Sequence, residues 1–245
     1  MMRSIILGVI VIIILYLVIS YLTDSTRADL MGLHNAKTAN GDMGVIINPA
    51  SLPGNVGSND YTYSMWIFIN DWNHKYGSEK VIFRRSKKTS TNDEFDDVCP
   101  SLALGANTNE LKVQMATKGT QKTESFTVSD IPIQKWVNII LTTEGRTVDV
   151  YLDGKLVKSH VMNGVLSIDK LANVYLTPDG GFSGYINKFR YYARTMSPRE
   201  AYEIYKEGSG TDGVMGILGN YKFNFAFGKS GEMTLPTNTL ASVTL

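Results

Sequence analysis

The side chains best suited to contact or chemistry fall into small groups. Trp72, His74 and Tyr76 alternate through a loop that follows a strongly apolar run. Exposed rings there would stack on a sugar or anchor a protein neighbour; the competing expectation is that they plug the end of a hydrophobic core. Arg84, Arg85, Lys87 and Lys88 form a basic run that could meet phosphates or an acidic partner, and that otherwise reads as a solvated loop. The chain has a single cysteine, Cys99, so no intrachain disulfide is available. His34, His74 and His160 stand far apart, and no Cys/His spacing suggests zinc. Cys99, next to Pro100, is expected to be a partly buried structural thiol.

The elements that would hold these groups follow a clear order. Ile5 to Leu22 is an 18-residue run without a charge, rich in Ile, Val and Leu. As a helix it would span about 27 Å, close to the hydrocarbon thickness of a bilayer. Ser20-Tyr21-Leu22 makes a poor cleavage site, which favours an uncleaved single-pass transmembrane anchor over a signal peptide. Arg3 before the run and Asp24, Arg27 and Asp29 after it hardly bias its orientation; the expectation is a cytoplasmic amino terminus. Residues 23–57 are small and polar, a linker or extended lead-in where only Val45-Ile46-Ile47 could form a short strand.

From Asp60 the period changes to that of strands. Tyr61, Tyr63, Met65, Ile67 and Ile69 share one face, and Thr62, Ser64, Trp66 and Phe68 the other. A run apolar on both faces belongs inside a sandwich, and Trp66 and Trp136 are expected in its core. Shorter strand candidates follow at Lys80–Arg84, Ser101–Gly105, Leu111–Ala116 and Ser125–Val128. Trp136–Thr143, Thr147–Leu152 and Lys155–Ser159 form an antiparallel meander, with Asp153-Gly154 supplying the positive φ angles of its second turn. Asn173–Thr177 and Phe182–Ala193 add two more strands. A short helix begins at Ser197, its N-cap, with Pro198 at the first helical position and Glu200 as the reciprocal capping-box partner; Ala201, Ile204 and Tyr205 form its apolar stripe and Gly208 ends it. Val214 to Phe227 is expected to return to strand. The resulting organisation is an anchor at 1–22, a lead-in at 23–57, a sandwich at 58–228 and a tail at 229–245.

These pieces, in this order, resemble the concanavalin A-like lectin/glucanase superfamily and, within it, laminin-G-like domains. The residues that carry the resemblance are Tyr61–Ile67, Trp136–Ile140, Val150–Lys155, Gly181–Ile186 and the strand-to-helix stretch Arg190–Gly208. More closely, Trp66–Asn73, Ile131–Trp136 and Val174–Gly184 are similar to laminin-G-like proteins of large icosahedral DNA viruses of algae and protists. The resemblance implies an all-β, two-sheet antiparallel jelly-roll sandwich with one short helix after the transmembrane anchor, and a place in a virion membrane or as a minor capsid protein. It also implies two chemistries to look for. Glycoside hydrolases of the superfamily carry Glu-x-Asp-x-x-Glu, a nucleophile and a general acid flanking the scissile bond. Glu94-Phe95-Asp96 begins that pattern, but Cys99 stands where the second glutamate belongs. Laminin-G-like domains often bind calcium at loop ends, and Asp96, Asp97, Asp153 and Asp179 have the right side chains, although Asp153 and Asp179 sit in turns that favour aspartate for its backbone conformation.

The expectation is therefore a non-enzymatic, membrane-anchored interaction protein that docks on capsid or other virion proteins, with a membrane-displayed carbohydrate-binding module as the alternative. Its expected partners are a lipid bilayer through Ile5 to Leu22, proteins and possible glycans; no cofactor is expected, with calcium only an open alternative. With 24 basic and 23 acidic residues, the charge balance gives no electrostatic case for nucleic acid. The candidate binding residues are Trp72, His74, Tyr76, Arg84, Arg85, Lys87 and Lys88.

Overall fold

The computed structural model describes residues 8–18, 26–39, 41–54, 60–88, 95, 96, 98–118 and 122–210. Among them, fifteen strands form two antiparallel sheets. The first sheet runs β1 (Arg27–Met31), β15 (Gly181–Tyr192), β4 (Thr62–Asp71), β10 (Trp136–Glu144), β11 (Thr147–Leu152) and β12 (Lys155–Val161), with β2 (His34–Lys37) also pairing β15. The second runs β13 (Val165–Leu166), β8 (Glu110–Lys118), β7 (Ser101–Leu104), β5 (Lys80–Lys88), β14 (Asn173–Leu176) and β3 (Val45–Ile47). Two further strands of this sheet, β6 (Phe95–Asp96) and β9 (Thr123–Ser129), pair with β5 and β8. This is the expected two-sheet sandwich.

The core lies between the inner faces. Alternation along β4 sends Tyr63, Met65, Ile67 and Ile69 inward, where they join Ile139 and Leu141 of β10 and Val148 and Val150 of β11. The second sheet answers with Phe83, Leu102, Val113 and Val174. Phe189 and Phe83 lie within 5.8 Å and 4.8 Å of the Tyr63 ring, which ties β15, β5 and β4 together. Cys99, expected to be partly buried, is fully buried, beside the Tyr61 hydroxyl at 3.7 Å and the Met115 sulfur at 3.9 Å.

The meander is as read from the sequence. In its second turn Asp153 and Gly154 take φ values of 49° and 73°, the left-handed pair that a tight hairpin needs. The helix over Pro198–Lys206 (α2 below) also matches, with both arms of the Ser197–Glu200 capping box formed. It lies on the outer face of the first sheet, where Ala201 and Ile204 build a second small core with Ile140, Tyr151, Tyr192 and Met196.

Two expectations need correction. The lead-in does more than bridge: β1 and β2 pair with β15, and β3 pairs with β14, so backbone between Arg27 and Ile47 extends both sheets. Its sparse apolar content hid this, because edge strands with one exposed face need few apolar residues. The tryptophans are not between the sheets. Trp66 is buried on the outer face, stacked on Tyr205 of α2 with centroids 5.8 Å apart, and Trp136 is half-buried on that same face.

Residues 8–18 are helical (α1), and Val9 to Val18 are each 46–69% exposed. Among the described residues no helix is long and apolar enough to cross a membrane, and the rest of the Ile5 to Leu22 run lies outside them. The strand expected at Val214 to Phe227 and the tail after it also lie outside the described residues.

Candidate functional site

The loop after β4 is a structural corner. Trp72 packs against the core, and the buried Lys80 holds its ammonium 5.0 Å from the Trp72 ring while donating to the Gly105 and Ala106 carbonyls at 3.2 Å. The His74 Nε2 lies 2.9 Å from the Gly180 carbonyl, and the Lys75 ammonium donates to the Asp179 carbonyl, so this loop is pinned to the turn before β15. Tyr76 alone is widely open, at 66% exposed. The plug reading describes Trp72 and His74 better than a ligand platform does.

The basic run is not a solvated loop but the second half of β5. Strand alternation separates its members. Arg84 is half-buried opposite Tyr175 of β14, Arg85 is buried, Lys87 is exposed, and Lys88 closes the strand. Among the described side chains Arg84, Arg85 and Lys87, the run therefore presents no single basic patch. Of the acidic candidates, Glu94 and Asp97 lie outside the described residues and Asp96 belongs to β6. Asp153 accepts from the Asn138 amide at 2.9 Å, and Asp179 accepts from the Gly41 amide at 3.2 Å, so each carboxylate ties its turn to a neighbouring segment. Among the described residues no group of three or more His, Cys, Asp or Glu side chains could hold a metal ion.

A different group of side chains forms the most site-like surface. Tyr185 of β15, Phe68 of β4 and Trp136 of β10 are direct cross-strand partners, in a row over three adjacent strands. All three point away from the inter-sheet core, whose members are their neighbours Ile67, Val137 and Ile186. Phe68 meets Trp136 edge-on, centroids 5.6 Å apart, so the rings form a corrugated wall in place of a flat one. With Leu33 they line an open hollow of about 240 Å³. Tyr185 is 39% and Leu33 61% exposed. The row has polar ends. Asn35 of β2, exposed, pairs in register with Tyr185, and the Lys135–Asp153 ion pair at 3.5 Å sits beside Trp136.

Sequence reasoning missed this row. Phe68 and Trp136 were legible as apolar strand residues, but a strand with two apolar faces does not say which face is covered. Trp136 stands opposite Phe68 through the pairing of β10 with β4, a contact outside the meander that no local sequence signal sets.

A family model described as the concanavalin A-like lectin/glucanases superfamily matches residues 40–201, more than half of the chain. The chain belongs to this superfamily. Among solved structures, the receptor binding domain of botulinum neurotoxin D is similar with a TM-score of 0.53 at 15% identity, over 72% of this chain and 44% of that one. The botulinum neurotoxin serotype D ligand binding domain in complex with N-acetylneuraminic acid is similar with a TM-score of 0.51 at 14% identity, over 72% and 46%. Likeness at this identity shows the fold alone, and the chain spans less than half of either protein. No curated protein matches.

Proposed function

We propose that this chain is a non-catalytic binding module, displayed at a membrane, that takes a sugar ring into the hollow between Tyr185, Phe68 and Trp136. The observation that carries this reading is the in-register aromatic row on a part of the sheet face that no described element covers. Aromatic faces pack on the C–H faces of sugars, and polar groups at the rim supply the hydrogen bonds that orient them. A hollow of about 240 Å³ suits one terminal ring more than an extended chain. The concanavalin A-like fold, and the sugar and receptor ligands named for its structural neighbours, support a binding role. The absence of turnover is supported by the sequence: Cys99, 1% exposed, occupies the place of the second catalytic glutamate.

The membrane part of the proposal rests on the uncharged Ile5 to Leu22 run and the exposed apolar helix over residues 8–18 within it. The resemblance to viral laminin-G-like proteins supports a virion membrane or the capsid–membrane interface as its place. A second reading, docking on a capsid or other virion protein through the same row, is favoured by Leu33, an exposed aliphatic side chain that a sugar does not need. A glycan array probed with the full chain in detergent, alongside its Trp136→Ala variant, separates the two. A lectin gives a reproducible ligand that Trp136→Ala loses. A chain that retains no glycan but pulls down a virion protein through Leu33 is a docking protein.

A further inference from the structure

We propose that the cleft walled by Arg85, Lys170, Tyr61 and Tyr191 is an oxyanion site that takes a carboxylate or phosphate group. Arg85 is 4% exposed, on the core side of β5, in a part of the sandwich where its neighbours are tyrosines. Its Nη2 donates to the Lys170 carbonyl at 3.2 Å, and its Nε is buried with no acceptor. Among the described residues no carboxylate forms an ion pair with it. The Tyr63 and Tyr191 hydroxyls approach the guanidinium and supply it only neutral oxygens. A buried guanidinium is costly unless an anion neutralises it, and neutral oxygens do so only in part.

The guanidinium also faces space. A cleft of about 70 Å³ is lined by Arg85, Tyr61 and Tyr191 on the sandwich side and by Pro49, Leu52 and Lys170 on the loop side. That volume holds a few waters or one small oxyanion, and is too small for a whole organic ligand. The planar fork of an arginine matches the two oxygens of a carboxylate or phosphate, the Tyr191 hydroxyl can donate to the same group, and proline and leucine walls lower the local dielectric. Lys170, exposed at the mouth, adds a second positive charge. The site is separate from the aromatic row.

The test is thermal unfolding of the full chain in non-ionic detergent, titrated with sodium phosphate or sodium acetate against sodium chloride at matched ionic strength. Ligand that binds only the folded state raises the unfolding temperature in step with its occupancy. The expected result is a saturable rise with phosphate or acetate and none with chloride. The anion that saturates at lower concentration identifies whether phosphate or carboxylate is the preferred group. Lys170→Glu, a surface change, should raise the half-saturating concentration about tenfold, while Trp136→Ala should leave it unchanged. Arg85→Lys should abolish the response if that variant folds. A rise that never saturates, that chloride reproduces, or that Lys170→Glu leaves at the same half-saturating concentration overturns the proposal.

Discussion

At the scale of single residues, exposure separates side chains that hold the sandwich together from those free to touch a partner. Phe189 is fully buried, in ring contact with Tyr63 and Phe83. Phe189→Ala should cost about 3–5 kcal/mol, from lost burial and the cavity left behind. Trp136 has one side in solvent and one ring neighbour, so Trp136→Ala should cost only about 1–2 kcal/mol. Urea unfolding of both variants checks the ordering, and equal losses would put Trp136 back in the core. The sequence made both residues recognisable as strand aromatics. It could not rank them, because burial of an outer-face ring depends on whether another element lands on it: α2 lands on Trp66 and not on Trp136.

Glu124 shows a second residue-scale effect. Its carboxylate accepts from the Asn163 amide and side chain at 2.9 Å and from the Gly164 amide at 3.0 Å, and the Asn163 backbone bond leads the causes that hold its pKa below the ordinary carboxylate value. A carboxyl whose folded pKa is depressed contributes stability that is fully present above its unfolded pKa and is lost as pH falls through the folded one. Glu124→Gln should therefore lower stability by about 1–2 kcal/mol at pH 7. The gap between variant and parent should close as the pH is lowered past the ordinary glutamate range. A gap that stays constant with pH would mean the charge contributes nothing.

At the scale of elements, the helix and the lead-in carry the contrast between what sequence reveals and what only packing decides. The helix was legible to its caps because capping is local chemistry: Ser197 accepts from the Glu200 amide, and the Glu200 carboxylate accepts from the Ser197 amide at 2.9 Å. Ser197→Ala should cost about 1 kcal/mol, and with α2 loosened the Trp66–Tyr205 stack should weaken, visible as a change in near-ultraviolet circular dichroism. An unchanged spectrum with unchanged stability would show that the helix is held by its apolar stripe alone. The lead-in strands were not legible, since β1 and β2 are set by pairing with β15, far along the chain. The basic run failed for a related reason. Four cations in five residues read as a solvated loop, yet strand pairing of β5 with β7 and β14 sends Arg85 inward.

At the scale of the whole molecule, a sandwich is joined to an apolar amino-terminal segment, and the two parts predict different behaviour. The full chain should stay in the membrane pellet through alkaline carbonate washing, and removal of residues 1–22 should release it; full-length chain with an intact amino terminus in the supernatant would refute the anchor. Binding through the outer aromatic row is tested most directly by measuring glycan-array signal and urea midpoint together for the parent chain, Tyr185→Ala and Trp136→Ala. The expected result is a ligand bound by the parent and lost in both variants, while their midpoints show both still folded. A ligand retained at full strength by both folded variants would contradict it.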